Sequence, residues 1–256
     1  MNTQLQFAAT GIEPEFKSAL KVGLATSFAE IHAAQRLRYE VFAWETGARL
    51  HTPFPGLDYD RFDDYCQHLL VWDSATQQVV GCTRLLTDQG ACNAGGFYSE
   101  TEFDLSRVLA TSGRFLEIGR TCVYPDYRNG ATITALWSGL ATLISQHNFD
   151  YLIGCASIPL GEGCGEAHAI FAALSQRYLV KEPLRVTPFY PLPCQTALLR
   201  SDYTLPPLLK AYLRVGAKIG GEPCLDADFK VADLFILLPT QHLERRYARH
   251  FLGHSQ

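Results

Sequence analysis

Residues 115–157 constrain the fold more than any other stretch. They read FLEIGRTCV, then a turn broken by Pro125, then a helical pattern over 131–147, then DYLIGCAS. In the helical pattern Ile133, Leu136, Leu140, Leu143 and Ile144 fall on one side, the stripe a helix needs to pack on a sheet. YLIGCAS is a continuous apolar run, as found in strands buried on both faces. Around this strand–helix–strand unit the chain repeats the same vocabulary. Residues 21–25 read as a strand, and 27–46 as a helix with a Ser27–Glu30 capping box and Gly47 as its stop. Runs at 68–73 and 79–86 read as a hairpin. Residues 87–97 read as a loop, 103–109 as a short helix and 167–179 as another helix. After a proline-punctuated stretch, 183–207, come a helix at 208–217, a strand at 234–238 and a basic tail helix, ERRYARHF. This order predicts an α/β protein with a single mixed, twisted sheet and one core. The core spans 20–180, and 181–256 form a C-terminal extension packed on it.

Composition narrows the function classes. With 256 residues, 47% hydrophobic and 19% charged, the chain can bury a sizeable core. Its net charge of -4 argues against a nucleic-acid partner. The eight cysteines form no C-x-x-C pair, and no histidines sit at ligand spacing, so no metal is expected. Cys82 and Cys155 lie in apolar runs, where cysteine acts as a small hydrophobe. The first residues, MNTQLQFAATG, lack the features of a signal peptide, and no apolar run reaches the ~18 residues of a membrane span. The expected setting is reducing and cytoplasmic, with at most peripheral contact at the inner membrane.

The chemistry-bearing residues are charges where apolar residues belong. FLEIGRTCV carries Glu117 and Arg120. In a regular strand, residues three apart face opposite sides, so each charge would be buried on a different face. A one-residue bulge near Ile118–Gly119 turns both into one cleft and frees a backbone N–H from the ladder. Arg84 interrupts VVGCTRLL in the same way and needs a carboxylate or a sheet edge. Arg38 falls on the buried stripe of the first helix with Ile31, Ala34, Val41 and Glu45. Asp58, Asp60, Asp63 and Asp64 make an acidic loop, either solvated or recognising a cation. PDYRNGATI, 125–133, is a strand–turn–helix junction whose helix amides suit a phosphate. Cys122 with His68 or His168 shows no spacing that supports a thiol dyad. Lys210, Arg214 and Lys218, with Arg245, Arg246 and Arg249, are either a solvated helix face or a dock for an acidic carrier or anionic lipid.

Taken together, RLRYEVF, GLDYDRFDDYCQHLLV, VVGCTRLL, GGFYSETEFDLS, LEIGRTCVYPDYRNGATITALWSGL and YLIGCAS closely resemble the bacterial ornithine N-alpha-acyltransferases, hemolysin-like proteins of ornithine-lipid synthesis. The resemblance continues through LLKAYLRVGAKIGGEPCLDADFKVADLFILL. It implies the GCN5-related N-acetyltransferase (GNAT) fold and kinship with acyl-homoserine-lactone synthases. Arg38, Phe42, Trp44, Asp60, Asp63, Arg84, Glu117 and Arg120 stand where the synthase pattern has its motif residues. The family fold also carries a bulge on the strand beside the acyl thioester. Two positions depart from pattern. The turn Arg128-Asn129-Gly130-Ala131-Thr132 does not fit Q/R-x-x-G-x-G/A, which favours a phosphopantetheine arm on acyl carrier protein over free coenzyme A. Gln67 stands where Asp is expected before the His of C-x-H-L.

The resemblance implies transfer of a fatty acyl group, 3-hydroxylated, from acyl carrier protein to the alpha-amine of L-ornithine, with no permanently bound cofactor. Glu117 is then the base, directly or through a water, since an ammonium cannot attack a thioester. A bulge N–H stabilises the oxyanion. Asp60 and Asp63 order the loop against Arg38, Arg84 or Arg120, or hold the ornithine side-chain ammonium. Phe42 and Trp44 line the acyl channel, and Arg128, Asn129, Gly130 and Ala131 hold the pantetheine phosphate. Two other readings stay open: an N-acyl amino acid or acyl-homoserine-lactone synthase using another amine, and a non-catalytic membrane-lytic protein.

Overall fold

A π-helical turn, Glu40–Glu45, continues the first helix past Tyr39. The computed structural model that shows it describes residues 19–161, 163–193 and 203–241. The basic tail and Cys194 lie outside the described residues.

The elements follow in chain order. Strand β1 (Leu20–Leu24) leads to α1 (Phe28–Tyr39). The Ser27 side chain accepts the Glu30 N–H, and Glu30 accepts from the Ser27 N–H, so the predicted capping box is formed. The helix expected over 27–46 is thus α-helical to Tyr39 only, and the wider turn shifts the stripe beyond it. Strands β2 (Gln67–Asp73) and β3 (Val79–Thr87) form the predicted hairpin. The loop expected over 87–97 is corrected: α2 (Asp88–Ala94) fills most of it. Thr87 caps it through the Gly90 N–H, and Gly95 ends it in the left-handed region. Its Gly and Asn content disguises it, because tertiary packing overrides propensity. Residues 103–109 split into β4 (Phe103–Asp104) and α3 (Ser106–Leu109). Then come β5 (Phe115–Val123), α4 (Ala131–His147), β6 (Tyr151–Pro159) and α5 (Gly165–Tyr178). β7 (Thr187–Pro188), α6 (Pro207–Val215), β8 (Lys218–Ile219), β9 (Cys224–Asp226) and β10 (Val231–Pro239) complete the described chain.

The main sheet runs β1-β2-β3-β5-β6-β10-β8, with β9 also on β10. Its ladders are antiparallel except β5–β6, which is parallel and joined by the crossover helix α4. One face packs under α4, α5 and α6 through Leu69, Val71, Leu136, Leu140, Ile170 and Leu209. On the other, α1 covers Leu70 and Cys82, while the segment from α2 to α3 covers Ile153 and Phe235.

Two irregularities in β5 position the site. Cys82 pairs with Cys122 and Arg84 with Gly119, so Thr83 alone faces both Arg120 and Thr121. This is the expected bulge, two residues later than the predicted Ile118–Gly119. Its strained residue is Arg120, at φ 51°, and not Gly119. Thr83 holds the bulge through Oγ1 contacts to Thr121 Oγ1 at 2.7 Å and the Gly119 carbonyl at 3.3 Å. On its other edge β5 pairs with β6 only from Phe115↔Tyr151 to Glu117↔Ile153, after which no further pair forms. The strands fork. At the fork Gly154 has φ 155°, and a Cβ there would lie 2.3 Å from the Ile118 carbonyl oxygen. Glycine permits this close approach where the strands part.

Candidate active site

A cavity of about 200 Å³ fills the fork. Ile118, Gly119, Arg120 and Thr121 line one side and Cys155 and Ser157 the other. Glu117, Arg84, Tyr98, Phe42, Phe229, Asp226 and Asp233 close it toward the α1 face, and Leu208, Leu209 and Tyr212 of α6 toward the α4 face. Two small apolar cavities under α4 share Ile118, Trp137 and Tyr212 with each other, so the fork opens on an apolar trough.

The bulge does what parity required, and Glu117 and Arg120 line the same cavity. Glu117 is 3% exposed. Its Oε2 accepts the Tyr98 N–H at 2.6 Å, and Oε1 accepts the Ser99 N–H at 2.7 Å and the Ser99 hydroxyl at 2.5 Å. Burial still pushes its carboxyl up, although the Ser99 and Tyr98 bonds oppose this. An ionised carboxylate has about four lone-pair sites. Three are used, which leaves acceptor capacity beside the cavity.

Arg38, Arg84 and Arg120 meet the acidic loop as a buried network. Arg38, 1% exposed, bonds Asp58 Oδ2 at 2.9 Å and Asp63 Oδ1 at 2.7 Å. Arg84 bonds Asp60 Oδ1 at 2.6 Å and Asp63 Oδ2 at 2.8 Å. Arg120 reaches Asp58 and Asp60, each at 3.3 Å, and its guanidinium lies over the Tyr98 and Phe229 rings. Gln35 adds a bond to Asp63. Burial would raise the Asp63 carboxyl, but the charges of Arg38 and Arg84 hold it well below the carboxylate range. Three cations and three anions balance. Asp60 and Asp63 therefore order the loop, the first of the two roles expected for them. Asp58, an equal member of the network, stood in the acidic run but was not singled out.

Other expected residues are placed apart. Phe42 lines the cavity and packs edge-on against Phe229 at 5.6 Å. Trp44, two residues on in the π-turn, is 72% exposed and packs on Tyr39, outside the lining. Arg128 forms a bidentate pair with Glu45 at 2.5 and 2.6 Å and donates to the Val123 carbonyl. Asn129 Oδ1 accepts the Ala131 N–H at 3.1 Å, and Gly130 starts α4 without a side-chain cap. Cys122 is buried, its thiol pushed up by burial and 3.6 Å from Cys82 Sγ. His68 is held down to about 4 by burial and the Arg38 charge. Neither is a thiol–imidazole dyad.

Sequence reasoning missed the acidic wall opposite. Asp233 lies in VADLFILL, an acid within an apolar strand, the same signal that exposed Glu117. Ser157 Oγ donates to its Oδ1 at 2.6 Å, and burial pushes its carboxyl up to about 6. Glu102 and Asp226 join it: one carboxylate oxygen from each of the three lies within 4.8 Å of the others. Such a site has an acidic wall that suits a cation, carboxyls raised by burial and an apolar side under α4.

Residues 37–138 match the acetyltransferase (GNAT) domain family. An L-ornithine N(alpha)-acyltransferase of Brucella abortus (strain 2308) is 38% identical over 256 residues, covering 91% of this chain and 89% of the relative. The enzyme of that name from Rhodobacter capsulatus is 35% identical over 240 residues, 89% and 92% respectively. Among solved structures, the CoA-dependent acyl-homoserine lactone synthase BjaI, with SAM and isopentyl-CoA, superposes with TM-score 0.54 at 14% identity over 93% and 92% of the chains. FeeM, an N-acyl amino acid synthase from uncultured soil microbes, gives 0.52 at 11% identity over 89% and 94%. At such identities the structures show a shared fold, the GNAT type expected from the resemblance.

Proposed function

The chain belongs to the L-ornithine N(alpha)-acyltransferase family, and we propose that its β5–β6 fork transfers a 3-hydroxylated fatty acyl group from acyl carrier protein to the alpha-amine of L-ornithine, giving lyso-ornithine lipid. The observation that carries this reading is the fork itself. Its cavity joins a polar, carboxylate-rich half to an apolar trough, and the reaction joins a diamino acid to a fatty chain.

The amine must lose a proton before it attacks the thioester carbonyl. Glu117 is the base, through a water in its remaining acceptor direction, and burial makes it more basic than a surface carboxylate. As the amine nitrogen bonds to the carbonyl carbon, the carbonyl oxygen becomes an oxyanion. The bulge at Arg120–Thr121 leaves a backbone N–H outside the ladder to receive it. Collapse expels the pantetheine thiolate, which leaves as the thiol by taking the proton that the positively charged attacking nitrogen gives up as the amide forms. Phe42 walls the cavity near the reacting groups. The arginine–aspartate network fixes Arg84 and Arg120 on its rim.

The donor's phosphate sits at the start of α4, where Gly130 gives no side-chain cap and Asn129 Oδ1 takes the Ala131 N–H. Arg128 adds positive charge there, steadied by Glu45. Lys210, exposed on α6, belongs to the face offered to the acidic carrier. No helix among the described residues is long and apolar enough to cross a membrane. The reading is tested by mass spectrometry of products formed from hydroxyacyl carrier protein, or hydroxyacyl-CoA, with ornithine, lysine, glycine and S-adenosylmethionine in turn. N-alpha-acylornithine from the carrier-protein donor is expected. An acyl-homoserine lactone, or no product with any amine, overturns it.

A further inference from the structure

We infer that Glu102, Asp226 and Asp233 form the subsite for the side-chain ammonium of the acceptor amino acid, and so decide which of its two amines is acylated. This rests on the proposed reaction and names the acidic edge of the cavity, where Asp226 and Asp233 line it and Glu102 adjoins them, as what makes it specific for a diamino acid. The acidic loop that the sequence offered for this role is spent: Asp58, Asp60 and Asp63 are each bonded to arginine. The trio carries no such compensation. No salt bridge reaches any of its members among the described residues, and Arg120, the cation that acts on Asp233, is itself tied to Asp58 and Asp60.

Glu102 is the second, independent observation. It is 6% exposed, and neither carboxylate oxygen has a hydrogen-bond partner. The Cys155 thiol and Tyr98 hydroxyl approach it without hydrogen-bond geometry. Burial and the Asp233 charge push the Glu102 carboxyl well above its ordinary value, so the empty site relieves its cost by keeping a proton, and a cation held among the three acids would ionise and complete it. The size fits an ammonium. Three acceptors at ~2.8 Å along tetrahedral N–H directions stand ~4.6 Å apart, and the three oxygens lie within 4.8 Å of one another. Asp226 Oδ1 already accepts the Asp228 and Phe229 N–H groups, and Asp233 Oδ1 the Ser157 hydroxyl, so both are held in place. Asp226 and Asp233 line the same cavity as Glu117 and the bulge. An amino acid anchored there by its side-chain nitrogen presents its other amine toward the fork.

The test compares L-ornithine with L-norvaline, the same carbon chain without the side-chain amine, as acceptors for the full-length protein and its Glu102→Gln, Asp226→Asn and Asp233→Asn variants. Wild type should favour ornithine by at least ~100-fold in kcat/KM, and each variant should lower that ratio by about tenfold or more, mainly through the KM for ornithine. Equal use of the two acceptors by wild type, or an unchanged ratio in all folded variants, overturns the subsite while leaving ornithine acylation standing. Absence of product with every amino acid is instead the failure of the proposed reaction. Calorimetric titration of wild type with Ca2+, Mg2+ and Mn2+ alone covers the rival occupant. Tight metal binding that the three variants abolish, with the acceptor ratio unmoved, makes this a metal site and also overturns the proposal.

Discussion

Glu117 and Arg120 stand three residues apart on one strand and line one cavity, because Thr83 of β3 faces both Arg120 and Thr121 where a regular ladder has one residue. The misplaced charges of the strand are therefore one arrangement. The bulge aims Arg120 at the acidic loop, and the unbulged residue before it leaves Glu117 facing the Tyr98–Ser99 turn.

That geometry gives Glu117 two duties that substitution separates. In Glu117→Gln the amide offers one acceptor oxygen to three donors, so stability should fall by about 1–3 kcal/mol. Turnover should fall by roughly 100-fold or more if the carboxylate takes the proton. Ser99→Ala removes one bond that lowers the Glu117 pKa, so the acid limb of its kcat–pH profile should move to higher pH. Thermal melts and pH–rate profiles of both variants check this, and an unmoved acid limb removes Glu117 as the base.

The arginine–aspartate network should fail in an ordered way. Arg38→Met leaves buried Asp58 and Asp63 short of a partner and should cost about 3–5 kcal/mol. Acid should remove the network's own contributions in steps. His68 is depressed to about 4 from 6.5, so its contribution is complete above pH 6.5 and is lost as pH falls toward 4. Asp63, also depressed, contributes above its unfolded pKa and is lost only at lower pH. Asp233, raised by burial, changes stability in the opposite sense over the same range, so the His68 contribution is read as a difference: the urea midpoint of wild type relative to His68→Gln should fall as pH drops from 6.5 to 4.

The sequence made legible whatever depends on pattern along one strand or helix. The apolar stripe of α4 and the Ser27 cap are seen as predicted, and so was the bulge, from the parity of Glu117 and Arg120. What stayed hidden depends on chain segments far apart. Asp233 and Glu102 are brought together only because β10 pairs with β6 while the 3₁₀ turn at Tyr98–Thr101 lies over Glu117. Trp44 was expected beside Phe42 from the family resemblance alone, and no pattern along the helix showed that the π-turn leaves Trp44 exposed against Tyr39 while Phe42 lines the cavity. Arg128 looked free for a phosphate because its partner, Glu45, comes from the end of that same turn.

The acidic wall should carry a stability penalty that shows its purpose. Burial raises Asp233 to about 6, so its favourable contribution is present below the ordinary value of 3.8 and is lost as pH rises through 6. Asp233→Asn should then stabilise the ligand-free protein at pH 7.5, by up to roughly 3 kcal/mol, and change little at pH 4. Thermal unfolding at the two pH values checks the sign. Destabilisation at pH 7.5 would mean that an existing cation partner already neutralises the wall.

Gly154 tests the fork. Its φ of 155° and the 2.3 Å separation between an added Cβ and the Ile118 carbonyl oxygen leave no room for a side chain where β5 and β6 part. Gly154→Ala must push Ile118 away or twist β6, at a cost of roughly 2–4 kcal/mol. Ile118 lines the main cavity and both apolar ones, so the shift should disturb the acyl trough more than the polar half. The expected result is a folded but less stable enzyme whose KM for the long-chain donor rises several-fold while its KM for the amino acid barely moves. Equal changes in both, at unchanged stability, would show that Gly154 does not set the width of the fork.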